Sequence, residues 1–277
     1  MNTSAPGQKQ VSGLKLTDEE FQKVRAMIHN YCGIFINEGK EALVQSRLMK
    51  RVRKTGVRSF SEYLNYVQED KTGAEFLAFV DVITTNKTSF FREVKHFEFI
   101  QSKVLPEMRG RNVKWWSAGC SSGEEPVTTA ITLLENKKQS NWSSVKILAT
   151  DISTEILSIA KKGVYPDTRM GDVPDFVKQK YFNTNGNGEY QISREIRDMI
   201  TYGRLNLNVS WPMKGPFHVI MCRNVMIYFN RQTQYEIINK FHGLLEPGGY
   251  LFLGHSEGLP KENKGFKTLA PAVYQKQ

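Results

Sequence analysis

Residues 113–126, Val-Lys-Trp-Trp-Ser-Ala-Gly-Cys-Ser-Ser-Gly-Glu-Glu-Pro, decide the fold of this chain. Their first six residues are typical of a strand, and Gly119 and Gly123 permit the tight turn that follows it. Pro126 suits the first turn of a helix. The stretch therefore predicts a strand, a glycine-rich loop and a helix, which together begin an α/β sheet.

The same alternation of strand and helix continues downstream. Residues 145–150 predict a second strand that ends at Asp151, with a helix after Ser153. The later elements that fit the pattern are a strand over 217–222, a helix over 231–245 and a strand over 250–253. Because successive parallel strands are joined by right-handed crossover helices, we expect a Rossmann-like α/β domain with a mostly parallel sheet.

The first part of the chain has a helical pattern instead. Thr17 and Glu20 have the spacing of a capping box, and apolar residues at helical spacing follow them. Glycines separate further helical patterns over 41–55, 59–69 and 73–85. We therefore predict an all-helical N-terminal domain over residues 1–85, with a polar, frayed tail at 1–13, and an α/β domain over residues 86–277.

A short segment interrupts the alternation within the α/β domain. Asn185-Gly186 and Asn187-Gly188 are strong turn dipeptides, and residues typical of strands flank them. We expect a small antiparallel β insertion over about residues 176–205.

The composition is that of a globular protein with a basic surface. The chain has 277 residues, 40% of them hydrophobic and 24% charged, which excludes disordered and fibrous classes. No apolar run is long enough for a membrane helix, and the N-terminus lacks the apolar core of a signal peptide. Three separated cysteines predict a cytoplasmic protein without a metal site. The net charge of +10 predicts a polyanionic partner: nucleic acid, an anionic membrane surface or an acidic protein.

Two features at predicted strand ends point to a cofactor. The loop after the first strand is neither GxGxxG nor a P-loop, and the adjacent Glu124 and Glu125 would repel a phosphate. Asp151 could accept both hydroxyls of a ribose, although an N-cap role for the next helix fits its position equally well. The combination favours S-adenosylmethionine, which carries a ribose and a sulfonium cation. A Gly/Ser connection that binds no ligand is the alternative.

Two further stretches contain unusual combinations of residues. Residues 84–92, Thr-Thr-Asn-Lys-Thr-Ser-Phe-Phe-Arg, place amide, hydroxyl and guanidinium groups beside two aromatic rings. Residues 222–229, Cys-Arg-Asn-Val-Met-Ile-Tyr-Phe, follow the third strand. With Ser-x-Gly-Glu-Glu-Pro at 121–126 and Gly-His-Ser-Glu at 254–257, the chain resembles the chemotaxis-receptor methyltransferases, which are S-adenosylmethionine-dependent protein-glutamate O-methyltransferases. The resemblance covers about residues 15–275.

The resemblance implies which residues form the site. The expected cofactor-binding residues are Asn86, Thr88, Arg92, Glu125, Asp151, Asn206, Leu207, Arg223 and Asn224. Glu125 would lie near the amino group of the cofactor and Asp151 on its ribose. Arg92 and Tyr228 are the expected catalytic residues, and S-adenosylhomocysteine would be the product.

The chemistry implied by the resemblance needs no general base. A glutamate carboxylate, with a pKa near ~4.3, is already ionised at neutral pH and can attack the sulfonium methyl group directly. The enzyme would align oxygen, carbon and sulfur and partly desolvate two opposite charges. Arg92 and Tyr228 could orient the carboxylate through hydrogen bonds.

One predicted helix has a basic face. At about 100° per residue, the residues that share this face are Arg47, Lys50, Arg51 and Lys54. The resemblance implies an acidic partner for it, the cytoplasmic helical region of chemoreceptors, whereas a solvated helix face is the alternative. In some members the β insertion also docks a C-terminal receptor peptide, and the short turn here argues against that role.

Three other functions fit parts of the sequence. Gly254–Gly258 matches GxSxG, but neither Asp nor His follows His255, which excludes a serine hydrolase. A nucleic-acid methyltransferase fits the basic charge, but Arg223-Asn-Val-Met stands where amino-methylating DNA enzymes resemble Asp/Asn-Pro-Pro-Tyr/Phe. A non-catalytic receptor-binding or cofactor-sensing module would be expected to lack pocket residues, and none is missing. The nucleic-acid enzyme and the non-catalytic module stay as alternatives.

Overall fold

The computed structural model describes residues 13–277, so the tail predicted for residues 1–13 lies, apart from Gly13, outside the described residues. The chain divides into two compact units. The first contains the described residues up to Tyr31 together with Phe35–Thr85, and the second contains Cys32–Ile34 and Asn86–Gln277.

The first unit consists of helices. They are α1 (Asp18–Cys32), α2 (Glu41–Thr55), α3 (Phe60–Glu69) and α4 (Ala74–Ile83). The capping box forms as predicted: the Thr17 N–H donates to the Glu20 carboxylate at 2.8 Å, and the Glu20 N–H donates to Thr17 Oγ1 at 3.2 Å. α2 buries Val44, Leu48 and Val52, which recur every four residues and form its apolar face.

Two of the four basic residues predicted to face a partner, Arg47 and Arg51, bond to other residues of this unit. The Arg51 guanidinium pairs with the Glu75 carboxylate, with Nε 2.9 Å from Oε1, and the two side chains are only 13% and 10% exposed. The Tyr63 hydroxyl donates to the same carboxylate at 2.8 Å. Arg47 donates to the Ile83 carbonyl. The prediction of a four-residue basic surface is therefore corrected, because helical spacing reveals a shared face but not the buried acid of α4 opposite it.

Lys50 and Lys54 differ from the two arginines. Both are exposed, and so is Arg53 between them. The basic surface of α2 therefore consists of Lys50, Arg53 and Lys54.

The second unit alternates strands and helices. Its helices are α5 (Val94–Phe99), α6 (Leu105–Glu107), α7 (Glu124–Glu135), α8 (Lys137–Ser140), α9 (Thr154–Lys162), α10 (Asp175–Tyr181), α11 (Arg194–Met199) and α12 (Arg231–Leu244), with a π-helical turn at Ile100–Val104. Its strands are β1 (Asn112–Ala118), β2 (Ser144–Asp151), β3 (Val164–Pro166), β4 (Phe182–Thr184), β5 (Glu189–Ile192), β6 (Ile200–Arg204), β7 (Phe217–Cys222), β8 (Leu245–Leu253), β9 (Phe266–Ala270) and β10 (Val273–Lys276).

A seven-stranded sheet forms the centre of this unit. Its strand order is β6-β2-β1-β7-β8-β10-β9. β6, β2, β1, β7 and β8 pair in parallel, whereas β10 is antiparallel to both of its neighbours. The chain winds away from β1 in both directions, which creates a switch point at the carboxyl ends of β1 and β7. The predicted Rossmann-like α/β class is confirmed.

Apolar clusters cover both faces of the sheet. The neighbouring residues Trp115 and Trp116 of β1 are both fully buried and belong to different clusters. Ile147 and Met221 share the cluster of Trp115, and Ile220 shares that of Trp116. Burial on both faces explains why these strands read as nearly continuous apolar runs.

The β insertion differs from the predicted range of 176–205. The small sheet has the order β3-β5-β4 and begins at Val164, whereas Ile200–Arg204 is β6 of the main sheet. The antiparallel hairpin around Asn185-Gly186 forms as predicted. β3 has only three residues, too few to give a readable alternation of polar and apolar positions, which is why its start was missed.

No helix among residues 13–277 is long and apolar enough to cross a membrane.

Replacing Arg51 by Met is expected to loosen the first unit. The substitution leaves the Glu75 carboxylate, 10% exposed, without its cation, and breaking a buried pair typically costs about 3–5 kcal/mol. Hydrogen–deuterium exchange of the amides of α2 and α4 should accelerate by about two to four orders of magnitude. Lys54→Met, at an exposed position of the same helix, is the matched control. Equal exchange in the two variants would show that the pair does not hold the unit together.

Candidate active site

The carboxyl ends of neighbouring parallel strands meet at one edge of the sheet. These ends are Arg204 of β6, Asp151 of β2, Ala118 of β1 and Cys222 of β7. The backbone beyond β1 remains attached to β2, since the N–H groups of Gly119 and Cys120 donate to the Thr150 carbonyl at 2.8 and 2.9 Å. Several of the predicted site residues lie on the segments that begin at these strand ends.

The loop between β1 and α7 is close-packed and has unusual backbone angles. Gly119 has a φ of +82°, and a Cβ at this position would lie 2.5 Å from a methyl group of Val225. Ser121 has a φ of 50°, and its N–H donates to Asp151 Oδ2 at 2.8 Å. The Ser153 N–H donates to the other carboxylate oxygen at 3.0 Å. Asp151 therefore joins the loop to the start of α9, whose N-cap is Ser153.

A buried guanidinium lies between two carboxylates in this region. The side chain of Arg223 is 2% exposed, with Nη2 3.0 Å from Glu93 Oε2 and Nη1 3.1 Å from Glu125 Oε2. Nη2 also donates to the Arg92 carbonyl. One cation thus connects three segments: the residues before α5, the first turn of α7 and the loop after β7. Without it, two carboxylates that are each only 12% exposed would lack this counter-charge.

The two carboxylates respond differently to this environment. Burial raises the pKa of Glu93, but the charge of Arg223 and the N–H of His255 outweigh burial and bring the pKa below its ordinary value. Burial dominates at Glu125 and raises its pKa, although Arg223 and the Ser117 hydroxyl, 2.7 Å away, oppose the rise.

Glu93 is a site residue that the sequence analysis missed. Besides Arg223, its carboxylate accepts from Asn224 Nδ2 at 3.4 Å and from the His255 N–H at 3.2 Å. Its φ of 59° is in the left-handed region, a strained conformation that the surrounding contacts must hold. Its only signal in the sequence is that it directly follows Arg92 in a specific motif.

A second missed carboxylate, Glu257, holds the Gly-His-Ser-Glu loop. One of its oxygens accepts from the N–H groups of Gly254 and Asn224 at 2.6 and 2.8 Å. The other accepts from the Ile227 N–H at 3.1 Å. The acid of this motif thus anchors backbone from two loops.

Two histidines border the ion-pair network. His96 is 2% exposed, and its ring lies 4.6 Å from that of His255. Ligand atoms of Glu93, His96 and His255 lie within 4.8 Å of one another, the one such group of three found among residues 13–277. Any cation at this place would compete with Arg223 for the Glu93 carboxylate.

The other predicted residues lie before α5, after β6 and after β7. The Asn86 carbonyl accepts from the Ser121 hydroxyl at 2.9 Å, and Arg92 donates to the Lys87 carbonyl at 2.9 Å. Tyr228 is half-buried in the 3₁₀ turn Met226–Tyr228. Thr88 is half-buried, and Asn206 and Leu207 are buried.

The carboxylates expected to repel a phosphate are both paired. Arg169 donates to Glu124 at 2.9 Å, and Arg223 donates to Glu125 at 3.1 Å. The expectation that two free negative charges would repel a phosphate is therefore corrected, since each carboxylate has a cation beside it.

This arrangement of fold and loops corresponds to a known family. Residues 86–274 match the family model described as CheR methyltransferase, SAM binding domain, and residues 19–84 match CheR methyltransferase, all-alpha domain. The chain belongs to the CheR methyltransferase family.

Relatives of this CheR family member match over nearly their whole length. The chemotaxis protein methyltransferase of Borreliella burgdorferi is 37% identical over 95% of this chain and 96% of its own. That of Escherichia coli K12 is 35% identical over 94% of this chain and 92% of its own. A probable chemotaxis protein methyltransferase of Rhizobium etli is 41% identical over 86% of this chain and 92% of its own.

The residues at the strand ends of this CheR family member fit S-adenosylmethionine, the cofactor of the family domain. Asp151 presents a carboxylate at the end of β2, where a ribose is held in related α/β folds. The glycine at 119 lets the turn after β1 pack closely against Val225, which brings the loop after β7 beside it. Guanidinium, amide and carboxylate groups converge beside the loop, a donor and acceptor set suited to an amino-acid moiety.

The site of this CheR family member is expected to lose stability in acid. Burial and the neighbouring Arg223 lower the pKa of His96 from 6.5 to about 4. Below pH 6.5 the unfolded chain binds a proton there that the folded protein takes up only near pH 4. Each pH unit lost in this window therefore favours unfolding by up to about 1.4 kcal/mol. Glu93, whose pKa is lowered, adds to the loss below its ordinary value of 4.5.

Tryptophan fluorescence during urea unfolding measures this loss, since all four tryptophans belong to the second unit. We expect the urea midpoint to fall between pH 7 and pH 5, and to fall less in His96→Leu. His29→Gln, at an exposed position of α1, should keep the wild-type pH dependence. A His96→Leu variant with the wild-type slope would contradict the assignment.

Proposed function

We propose that the protein is an S-adenosylmethionine-dependent protein-glutamate O-methyltransferase that forms methyl esters on bacterial chemoreceptors during sensory adaptation. The observation that carries this proposal is the family match over both units, at residues 19–84 and 86–274. Relatives that cover almost the whole chain at 35–41% identity are named chemotaxis protein methyltransferases or probable ones. The protein would act in the cytoplasm, where the signalling region of such receptors lies.

The adenosine part of the cofactor is proposed to lie beyond β2 and β6. Asp151 would accept the ribose hydroxyls, and Asn206 and Leu207, which follow β6, would frame the adenine. Asp151 is supported by its place at the strand end and by its bond to the Ser121 N–H, which sets the neighbouring loop.

The methionine part would lie toward the ion-pair network. The residues proposed to line it are Asn86, Thr88, Arg92, Glu125, Arg223 and Asn224. Because Arg223 is 2% exposed and bonded to Glu93 and Glu125, we propose that it acts mainly by fixing those two acids. Glu125 would then present a carboxylate oxygen to the amino group of the cofactor.

The reaction is a direct displacement by an ionised carboxylate. When bound, the cofactor supplies an electrophilic methyl group on a sulfonium. The receptor glutamate is ionised at neutral pH, so the protein's residues need only orient and partly desolvate it. Tyr228 and Arg92 are proposed to do this through hydrogen bonds to the carboxylate. A loose hold is sufficient, since tight binding of the ground state would slow transfer.

The receptor is proposed to meet the first unit through its basic surface. Lys50, Arg53 and Lys54 are exposed along α2 and would complement an acidic helix. A receptor C-terminal peptide at the β insertion has less support, because the turn at Asn185–Gly188 is short. The family match does not favour a nucleic-acid methyltransferase or a non-catalytic module.

Incubation with methyl-labelled S-adenosylmethionine and receptor-containing membranes tests the proposal. We expect label on the receptor that mild alkali releases, because esters are hydrolysed under conditions that leave N-methyl groups intact. Alkali-stable label, or label on added nucleic acid, would contradict glutamate esterification. Cofactor binding without any transfer would indicate the non-catalytic module.

Neutralising the exposed lysines of α2 should weaken receptor capture without changing the chemistry. Each exposed charge contributes about 0.2–1 kcal/mol, so Lys50→Ala with Lys54→Ala should slow methylation at low receptor concentration about two- to thirtyfold. The loss should shrink as salt is raised, because the Debye length falls to about 8 Å at 0.15 M.

The matched control removes two exposed lysines elsewhere, by Lys161→Ala with Lys162→Ala on α9. If both double variants respond alike to receptor concentration and salt, the basic surface of α2 is only a solvated helix face.

A further inference from the structure

The small β insertion is tied to the loop between β1 and α7 by side chains that the family motifs do not include. Arg169, in the 3₁₀ turn after β3, donates from Nη1 to Glu124 Oε1 and to Ser122 Oγ, both at 2.9 Å. The Ser122 hydroxyl in turn donates to Glu124 Oε2 at 2.6 Å. The Tyr165 hydroxyl of β3 donates to the Ser122 carbonyl at 2.9 Å. Tyr165 and Arg169 of the insertion therefore hold the loop at Ser122, and Arg169 also holds it at Glu124.

Glu124 depends on this ion pair more than Arg169 does, because only the acid is buried. Glu124 is 1% exposed, and Arg169 is its one ion-pair partner among residues 13–277. The Arg169 side chain is 42% exposed and would remain hydrated without the acid. Removing the arginine would instead leave a buried carboxylate with only a serine hydroxyl, and such a group draws water or moves toward it.

The residues on either side of the Ser122–Glu124 contact with Arg169 are bonded to residues of the proposed cofactor site. Ser121, which precedes it, donates to Asp151 at 2.8 Å. Glu125, which follows it, is paired with Arg223 at 3.1 Å. Three φ angles in the loop are in the left-handed region: +82° at Gly119, 50° at Ser121 and +96° at Gly123. Glycines adopt such angles without strain, but at Ser121 the angle costs free energy that contacts from outside the loop must offset.

We propose that Arg169 is a positioning residue for S-adenosylmethionine: through Glu124 and Ser122 it sets the loop that bonds to Asp151 through Ser121 and that presents Glu125 to the cofactor. The small β insertion then supports the cofactor site in addition to any role in receptor binding. This inference rests on the proposed function, since it concerns the same site.

Calorimetric titration with S-adenosylhomocysteine tests the proposal without requiring turnover. We expect Arg169→Gln to raise the dissociation constant about tenfold, and Arg169→Lys to stay within about threefold of the wild type because a single nitrogen makes both contacts. Arg194→Gln is the matched control: it removes an exposed arginine that pairs with exposed Asp198, and it should bind as the wild type does.

A double-mutant cycle with Glu124→Gln separates positioning from general destabilisation. If Arg169 acts by neutralising Glu124, the combined variant no longer buries an unpaired charge and should bind within about threefold of the wild type. The same double variant decides the question if Arg169→Gln alone does not fold.

Two results would overturn the inference. One is an Arg169→Gln protein that melts at a lower temperature yet binds S-adenosylhomocysteine within twofold of the wild type, which would make the contact merely structural. The other is a double variant whose dissociation constant rises by the product of the factors measured for the two single variants. A wild-type protein that bound no S-adenosylhomocysteine would instead reject the proposed function itself, and this inference with it.

Discussion

The buried guanidinium of Arg223 is the interaction on which the rest of the site depends. It lies between Glu93 and Glu125, and it reaches the backbone of Arg92, so three segments from different parts of the chain share one cation. Ionised groups this deep in a protein are tolerated only when each has a partner. The same charge explains why the pKa of Glu93 falls while burial still raises that of Glu125. Displacing the segment that carries Arg223 would leave both carboxylates without this cation.

Acidic side chains also join separate segments at this edge of the sheet. Asp151 holds the backbone at Ser121 and Ser153, and Glu257 holds it at Gly254 and Asn224. Several of these loops have residues in the left-handed region, which costs free energy that hydrogen bonds to carboxylates offset. The site is thus held in shape by charge-assisted bonds to backbone N–H groups, a design that suits a reaction in which alignment is the main requirement.

The basic residues of α2 show what helical spacing in a sequence can predict and what it cannot. Arg47, Lys50, Arg51 and Lys54 do share a face of α2, as helical geometry requires. That face is nevertheless divided: Arg51 points into a buried pair with Glu75, whereas Lys50 and Lys54 are exposed. The sequence contains no sign of this division, because Glu75 is 24 residues away and meets Arg51 only when α4 packs beside α2.

The amino-acid sequence by itself determined the class of the fold, the helices and principal strands, and the motifs that identify the family. These follow from local rules: apolar periodicity, turn glycines, caps and short specific stretches such as residues 222–229. Tertiary structure alone decided that Glu93 and Glu257 hold the site, that Arg169 pairs with Glu124, and that the β insertion begins at Val164. Each of these depends on contacts between residues far apart in the chain, and periodicity carries no information about which distant charge will become a neighbour.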